Sequence, residues 1–492
     1  MKEIGVYIDS TRGWQHEIEF SLRFLLNAAG VSYTIVTDPR ALRQYRRVLI
    51  YGEVERDSFA TLSNHITLFI PCLIQSEDLY HVSTCYREKP VDIYGPFVQY
   101  GVLPGYPYSY RDGGCPVKIQ LTGASTYIKL GWDLVGATFH LLNLSRERSN
   151  AGKSETEPPQ PDNCRQEPTV DRYILHLEEL LDLYHPEVER IKRWQGDSRF
   201  AVALTHDVDM LQKWRWHTRL KWLAKLPYRA WGNREQLRRD WVEMRSALDP
   251  WDNCNEVLEL EKQYGFNSTW FFLTEARDHQ TWRYNIKGPR AQAAVQAVRE
   301  HGGEVALHGG YRQPHALSRF LEQKQRLEQV LGRELQGVRQ HWLKYSLAVT
   351  PDAQARAGLS YDSTLGWNHA AGYRCGTSLP YPLYDPLLKQ ETGIYEIPLV
   401  FMDTALFLQQ ELSPAEVSDQ LSRLLDRTEK VGGLLTVLFH NHYFCEADFP
   451  GWRETYTRFL NEVKERSAWV ETLRNIYRRW HRRNRLINGE GG

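Results

Sequence analysis

The stretch T-H-D-V-D (205–209) sets two carboxylates two residues apart, at the end of the apolar run over 199–205. In extended chain, residues i and i+2 share a side, so Asp207 and Asp209 can act on one ligand. Two carboxylates so placed can divide labour: one binds a divalent metal, the other takes a proton from water. The competing reading is a turn or helix N-cap after a strand, which Asp also suits. Three further apolar runs end in polar groups. A-L-H-G-G-Y-R (306–312) places His308 before two glycines, which would let backbone approach a ligand closely. G-V-R-Q-H (337–341) supplies Arg339, whose fork could hold a carboxylate. L-F-H-N-H (438–442) puts His440 where a general acid or base could stand. Taken singly, each also fits a structural role: a hydrogen-bonded His, a surface ion pair, a polar strand cap.

The elements that must position these groups alternate. Strand-like runs at 268–273, 304–308, 337–341, 395–400 and 434–440 are separated by helix-like stretches near 290–301, 316–331, 351–357 and 414–430. That order predicts parallel strands with crossover helices, an α/β barrel whose chemistry collects at the carboxyl ends of the strands. Upstream, strand-like 4–8, 33–36, 47–51 and 66–74 with a helical 16–29 predict a small α/β layer. Residues 91–116 read as irregular loop and 125–145 as helix-like. The polar, Pro-rich 146–168 reads as a linker, and 171–194 as helical. The expected organisation is an N-terminal α/β domain (1–145), the linker, a connecting helix (169–195) and a barrel domain (196–485).

The 492 residues allow two sizeable cores. Lys plus Arg and Asp plus Glu number 61 each, so net charge points to no nucleic-acid partner. The 16 Trp and 27 Tyr suit sugar-stacking surfaces or aromatic cores equally. Seven dispersed Cys without a C-x-x-C pair argue for free thiols in a reducing cytosol. The first residues reach charge too soon for a signal peptide, and no run of 18 apolar residues occurs. A cytoplasmic enzyme is the simplest expectation. The segment 211–231 is basic and Trp-rich; it either packs its Trp on the barrel with its basic groups solvated, or makes weak contact with a membrane surface.

Taken together and in order, the motifs over 199–445 resemble the polysaccharide deacetylase, or NodB-homology, family. They are the acid pair at 205–209, Leu307-His308, Arg339, D-S-T-L-G-W (362–367) and Leu438-Phe439-His440. The match is closest to a bacterial subgroup with T-H-D-V-D as its first motif, and residues 1–145 are similar to that subgroup's N-terminal domain. The resemblance implies a distorted (β/α)7-type barrel and a divalent metal, zinc being common. It implies hydrolytic removal of an N-linked acyl group from a sugar or glycan. Asp207 would be the general base, Arg339 its orienting partner and His440 the acid. Asp209 and His308 would be metal ligands. Tyr311, Arg312, His341, Asp362, Trp367 and His442 are expected to contact substrate. One departure stands out. Arg312 occupies the position of the family's second metal-binding His, and a guanidinium cannot ligate a metal. Arg312 is therefore expected to point away or to pair with a carboxylate. The third ligand is expected from His315, folded back through Gly309 and Gly310, or less readily from His206, which should face the other side of its strand; otherwise water takes that place. Two alternatives stay open: a non-catalytic glycan-binding or scaffold protein with a degenerate metal site, and a C–N hydrolase acting on a small amide.

Overall fold

The structure, a computed structural model, describes residues 4–9, 13–52, 65–72, 117–122, 125–130, 133–150, 166–184, 190–226, 234–246, 248–275, 283–312 and 314–489. The expected loop at 91–116 and most of the expected linker lie outside them.

Two sheets organise the chain. The first runs β2-β1-β3-β4-β6-β5, with β1 Ile4–Ile8, β2 Tyr33–Val36, β3 Arg47–Gly52, β4 Ile66–Pro71, β5 Val117–Thr122 and β6 Ser125–Leu130. It is parallel except for the β5–β6 hairpin. Residues 125–130 are thus strand, not helix; the helix begins only at Leu134, capped by Asp133, whose carboxylate accepts from the Gly136 N–H at 2.8 Å.

The second sheet runs β12-β13-β11-β10-β9-β8-β7-β15-β14. Its strands are β7 Ala201–Val208, β8 Ser268–Leu273, β9 Glu304–Gly309, β10 Gly337–Gln340, β11 Tyr361–Asp362, β12 Tyr381–Asp385, β13 Gln390–Glu396, β14 Phe401–Met402 and β15 Leu434–Leu438, while β16 Trp469–Val470 pairs with β7. Every pairing is parallel except β12–β13. Helices such as Pro289–Glu300, Leu317–Leu331 and Pro414–Lys430 cross between the parallel strands. This is a distorted (β/α)7-type barrel, curled and parallel-rich, preceded by a smaller α/β layer. Strands β7, β8 and β9 are buried throughout, as parallel strands sandwiched between core and helices must be.

The two sheets are not independent beads. One apolar cluster runs through both. Phe20 and Phe24 pack on Tyr384 and Tyr381. The buried Arg483 side chain donates to the Asn27 and Ala28 carbonyls that end the helix Gln15–Ala29. The helix Thr169–Tyr184 carries Asp171, whose carboxylate accepts from Thr377, from Ser378 Oγ and from the Ser378 N–H at 2.9 Å. Residues 190–194 do not continue that helix. There Arg193 donates to the Ala28 and Val431 carbonyls and Trp194 to that of Gly432, so side chain-to-carbonyl bonds replace helical ones. Among the described residues no helix is long and apolar enough to cross a membrane.

Candidate metal centre

The pleat of β7 sorts its polar residues. Thr205, Asp207 and then Asp209 fall on one side, whereas His206 falls on the other. His206 is buried against Trp270, with Nε2 2.8 Å from Glu261 and Nδ1 2.8 Å from the Phe439 carbonyl oxygen. That carboxylate also accepts from Tyr456 and Ser268. His206 is therefore tied into a hydrogen-bonded core cluster.

On the site side, parallel register aligns the motifs: Asp207 pairs with Phe271, Leu273 with His308, and His308 with Arg339. Arg339 is fully buried. It donates to Asp207 Oδ1 at 3.0 Å, to Thr205 Oγ1 at 2.8 Å, to the Ser363 carbonyl at 2.8 Å and to Ser363 Oγ at 3.0 Å. Its guanidinium carbon lies 4.3 Å from the Phe271 ring centroid. His308 Nδ1 stands 2.9 Å from the Arg339 carbonyl oxygen. A carbonyl only accepts, so Nδ1 carries the proton and Nε2 keeps a free lone pair.

That lone pair meets two others. His308 Nε2 and His341 Nε2 are each 3.5 Å from the same atom, Asp209 Oδ1. One ligand atom from each of Asp209, His308 and His341 lies within 4.8 Å of the rest. Asp209 Oδ1 is buried without a hydrogen-bond partner. These separations are too long for hydrogen bonds. They match the roughly 3.4 Å edge of a tetrahedron whose centre is about 2.1 Å from each ligand atom. The donor set, one carboxylate and two imidazoles, suits zinc and similar divalent ions. On both counts the residues fit a metal.

The third member of the cluster is thus His341, not His315 or His206. His315 Nδ1 is 2.7 Å from Thr350 Oγ1. At Gly309 the space a Cβ would take is filled by the Gln340 side chain, and at Gly310 by Gln323 and Glu275, so both glycines permit close packing. His341 opens a short 3-10 turn in which Trp342 and Leu343 take φ of 61° and 50°. Two successive non-glycine residues in the left-handed region are backbone strain of the kind found at functional sites. Arg312 is exposed.

Three further groups complete the cleft, and motif spacing revealed none of them. Arg283 Nη1 lies 3.4 Å from Asp209 Oδ2, and Nη2 donates to His341 Nε2 at 3.2 Å. Burial pushes the Asp209 carboxyl up, but His341, His308 and Arg283 outweigh it and hold it well below the usual range. Asp403 grips His440 twice: Oδ1 is 2.7 Å from Nδ1, and Oδ2 accepts the His440 backbone N–H at 2.7 Å. Burial lowers the pKa of His440, yet the Asp403 charge, helped by Asp209 and Asp207, raises it to about 9. His442, with burial and the charge of His440 against it, falls to about 3. Trp342 is the third group. It stands exposed, 6.3 Å from the Tyr311 ring and 6.1 Å from His341.

Two residues expected at substrate are enclosed instead. Asp362 is fully buried and braces its own turn, accepting from the Thr364 N–H at 2.6 Å and from Gln354. Trp367 is buried beneath the Arg374 guanidinium.

No family model matches the sequence, and no curated protein matches it. Among solved structures the chain is similar to a Mycobacterium smegmatis protein assigned to the polysaccharide deacetylases, with 18% identity and a TM-score of 0.40, over 59% of this chain and 93% of that one. It is also similar to a CE4 family pseudoenzyme from Bacillus anthracis, with 13% identity and a TM-score of 0.31, over 57% and 66% of the two chains. A third is the peptidoglycan deacetylase PdaC from Bacillus subtilis, with 13% identity and a TM-score of 0.28, over 60% and 96%.

His341→Ala is expected to weaken divalent-ion binding more than about 100-fold, beyond what losing an outer partner costs, whereas His315→Ala and His206→Ala leave it nearly unchanged. His206→Ala should instead cost ~2–4 kcal/mol of stability, by opening a cavity beside an orphaned carboxylate. Isothermal titration with zinc and urea unfolding read the two effects separately.

Proposed function

We propose that the chain is a metal-dependent hydrolase that removes an N-linked acyl group, acetyl in the simplest case, from a sugar or glycan. The observation that carries this reading is the pair of carboxylates at the end of β7, Asp207 bonded to Arg339 and Asp209 facing two imidazoles, with His308 Nε2 3.5 Å from each. Asp209, His308 and His341 would hold the ion, zinc fitting best. When bound, it would polarise the acyl carbonyl and acidify water at the site.

The chain's own residues supply the proton transfers. Asp207, oriented by Arg339, takes a proton from the attacking water as the new C–O bond forms. His440, held as imidazolium by Asp403, delivers a proton to the nitrogen as the C–N bond breaks, leaving a carboxylate and an amine. Tyr311 and Trp342 offer ring faces beside the ion-binding residues on which a sugar can stack. Arg283 favours a second reading, a glycan-binding protein without turnover, because its guanidinium contacts the ligand atoms that an ion would use. Metal content separates the two.

Asp207→Asn should keep the ion, since the amide leaves Asp209, His308 and His341 in place. It should lower deacetylation of N-acetylated oligosaccharides by about 10²–10⁴, the worth of a general base. Full activity in that variant would remove Asp207 from the mechanism.

The acid sets a pH limit. Imidazolium at His440 persists below about 9 and is lost as pH rises through that value. Asp403→Asn removes the charge that holds the proton, so the alkaline limb of kcat against pH should move to lower pH. A limb that stays in place would show that another group sets it.

A further inference from the structure

The excursion between β7 and β8 carries a surface that the hydrolytic reading leaves unused. Residues 210–226 hold Lys213, Arg215, Arg219, Lys221 and Lys225 and no Asp or Glu, in a chain whose 61 basic and 61 acidic residues cancel overall. Within it, the helix Trp216–Ala224 exposes Trp216, Leu220 and Leu223 to 75%, 56% and 46%. At helical spacing these three fall within an arc of about 60°. The opposite side is held by the protein. There Trp222 is buried and donates its indole N–H to Asp240 at 2.7 Å, and Thr218 donates to the Lys213 carbonyl at 2.8 Å. The helix is therefore anchored by one face and turns an apolar stripe outward. The next helix, Arg234–Arg245, adds exposed Trp241 and Val242, with Leu248 just beyond it. Trp241 lies 6.1 Å from Trp222, so the two helices abut. Six of the 13 large hydrophobic side chains exposed among the described residues fall between Trp216 and Leu248. That concentration exceeds the single scattered residues normal on a surface.

We infer that this excursion is a docking face for an anionic membrane surface. Trp216, Leu220 and Leu223 enter the headgroup layer, where an indole finds both apolar contact and polar partners, while Arg219, exposed beside the stripe, extends to lipid phosphates. Charge decides the occupant. Lys213 is already paired with Glu243 and Asp448, but a second copy of the chain seated on the stripe would bring two exposed Arg219 side chains together, whereas an anionic bilayer neutralises them. The same excursion walls a cleft of about 450 Å³ lined by Lys213, Trp214, Trp251 and Phe449, among others. Trp251 in turn lies 5.4 Å from the His442 ring, so the docking face and the candidate centre share a wall.

Co-sedimentation of the full chain with vesicles tests this without requiring turnover, so the outcome is independent of whether the centre hydrolyses amides. Binding is expected to vesicles of phosphatidylcholine mixed with phosphatidylglycerol, to be weak on phosphatidylcholine alone, and to fall with added salt. The triple variant Trp216→Ser, Leu220→Ser, Leu223→Ser and the single variant Arg219→Glu should each lower partitioning about tenfold or more. All four side chains are exposed, and an unchanged far-ultraviolet circular dichroism spectrum would show each variant folded. Absence of wild-type binding to the mixed vesicles, equal partitioning of wild type and folded triple variant, or a dimer that the triple variant dissociates in place of vesicle binding would each overturn the inference.

Discussion

Arg339 is a full positive charge with no access to solvent, and the candidate centre is arranged around what that demands. An unpaired buried charge costs several kcal/mol, so its donors must all find acceptors. Four of its five N–H groups do so on two elements that three strands separate in the sheet: Thr205 and Asp207 on β7, and the Ser363 carbonyl and hydroxyl after β11. Satisfying the guanidinium thus fixes β7 against the sheet and sets the direction of the Asp207 carboxylate. The Arg339 backbone carbonyl fixes the His308 tautomer as well. One residue orients Asp207 through its side chain and His308 through its main chain.

Environment then divides like groups into unlike roles, which is how one site runs acid and base chemistry together. Asp207 accepts from Arg339, while Asp209 stands among His308, His341 and Arg283. His440, gripped by Asp403, is raised to about 9, and His442, two residues on, is lowered to about 3. Arg283 is a cation whose position opposes an ion, because it pairs with Asp209 and His341 directly. Loading the centre requires that side chain to withdraw.

Much of this was legible in the sequence because buried parallel strands are plain apolar runs, and polar residues at their ends are conspicuous. The pleat argument placed His206 away from Asp207 and Asp209, and the structure has it in the Glu261 cluster. His341 was visible as a residue but not as a ligand. Counting along the chain from His308 leads to Arg312 and His315, whereas the third member of the cluster comes from across the sheet, just after the strand whose Arg339 pairs with His308. Asp403 follows β14, a strand of two residues with no periodicity to read. Arg283 belongs to no motif. In sequence β6 reads as helix because Ser125–Leu130 lies close before the apolar helix that starts at Leu134. Its pairing with β4 and β5 resolves it.

The central claim is that Asp209, His308 and His341 form one divalent-ion site. Anomalous diffraction at the zinc edge, from crystals of the full chain grown with zinc, tests it most directly. The account predicts a single strong peak bounded by Asp209 Oδ1, His308 Nε2 and His341 Nε2, with Arg283 turned away. A peak beside His315 or His206, or no peak between the three with Arg283 still in place, would contradict it.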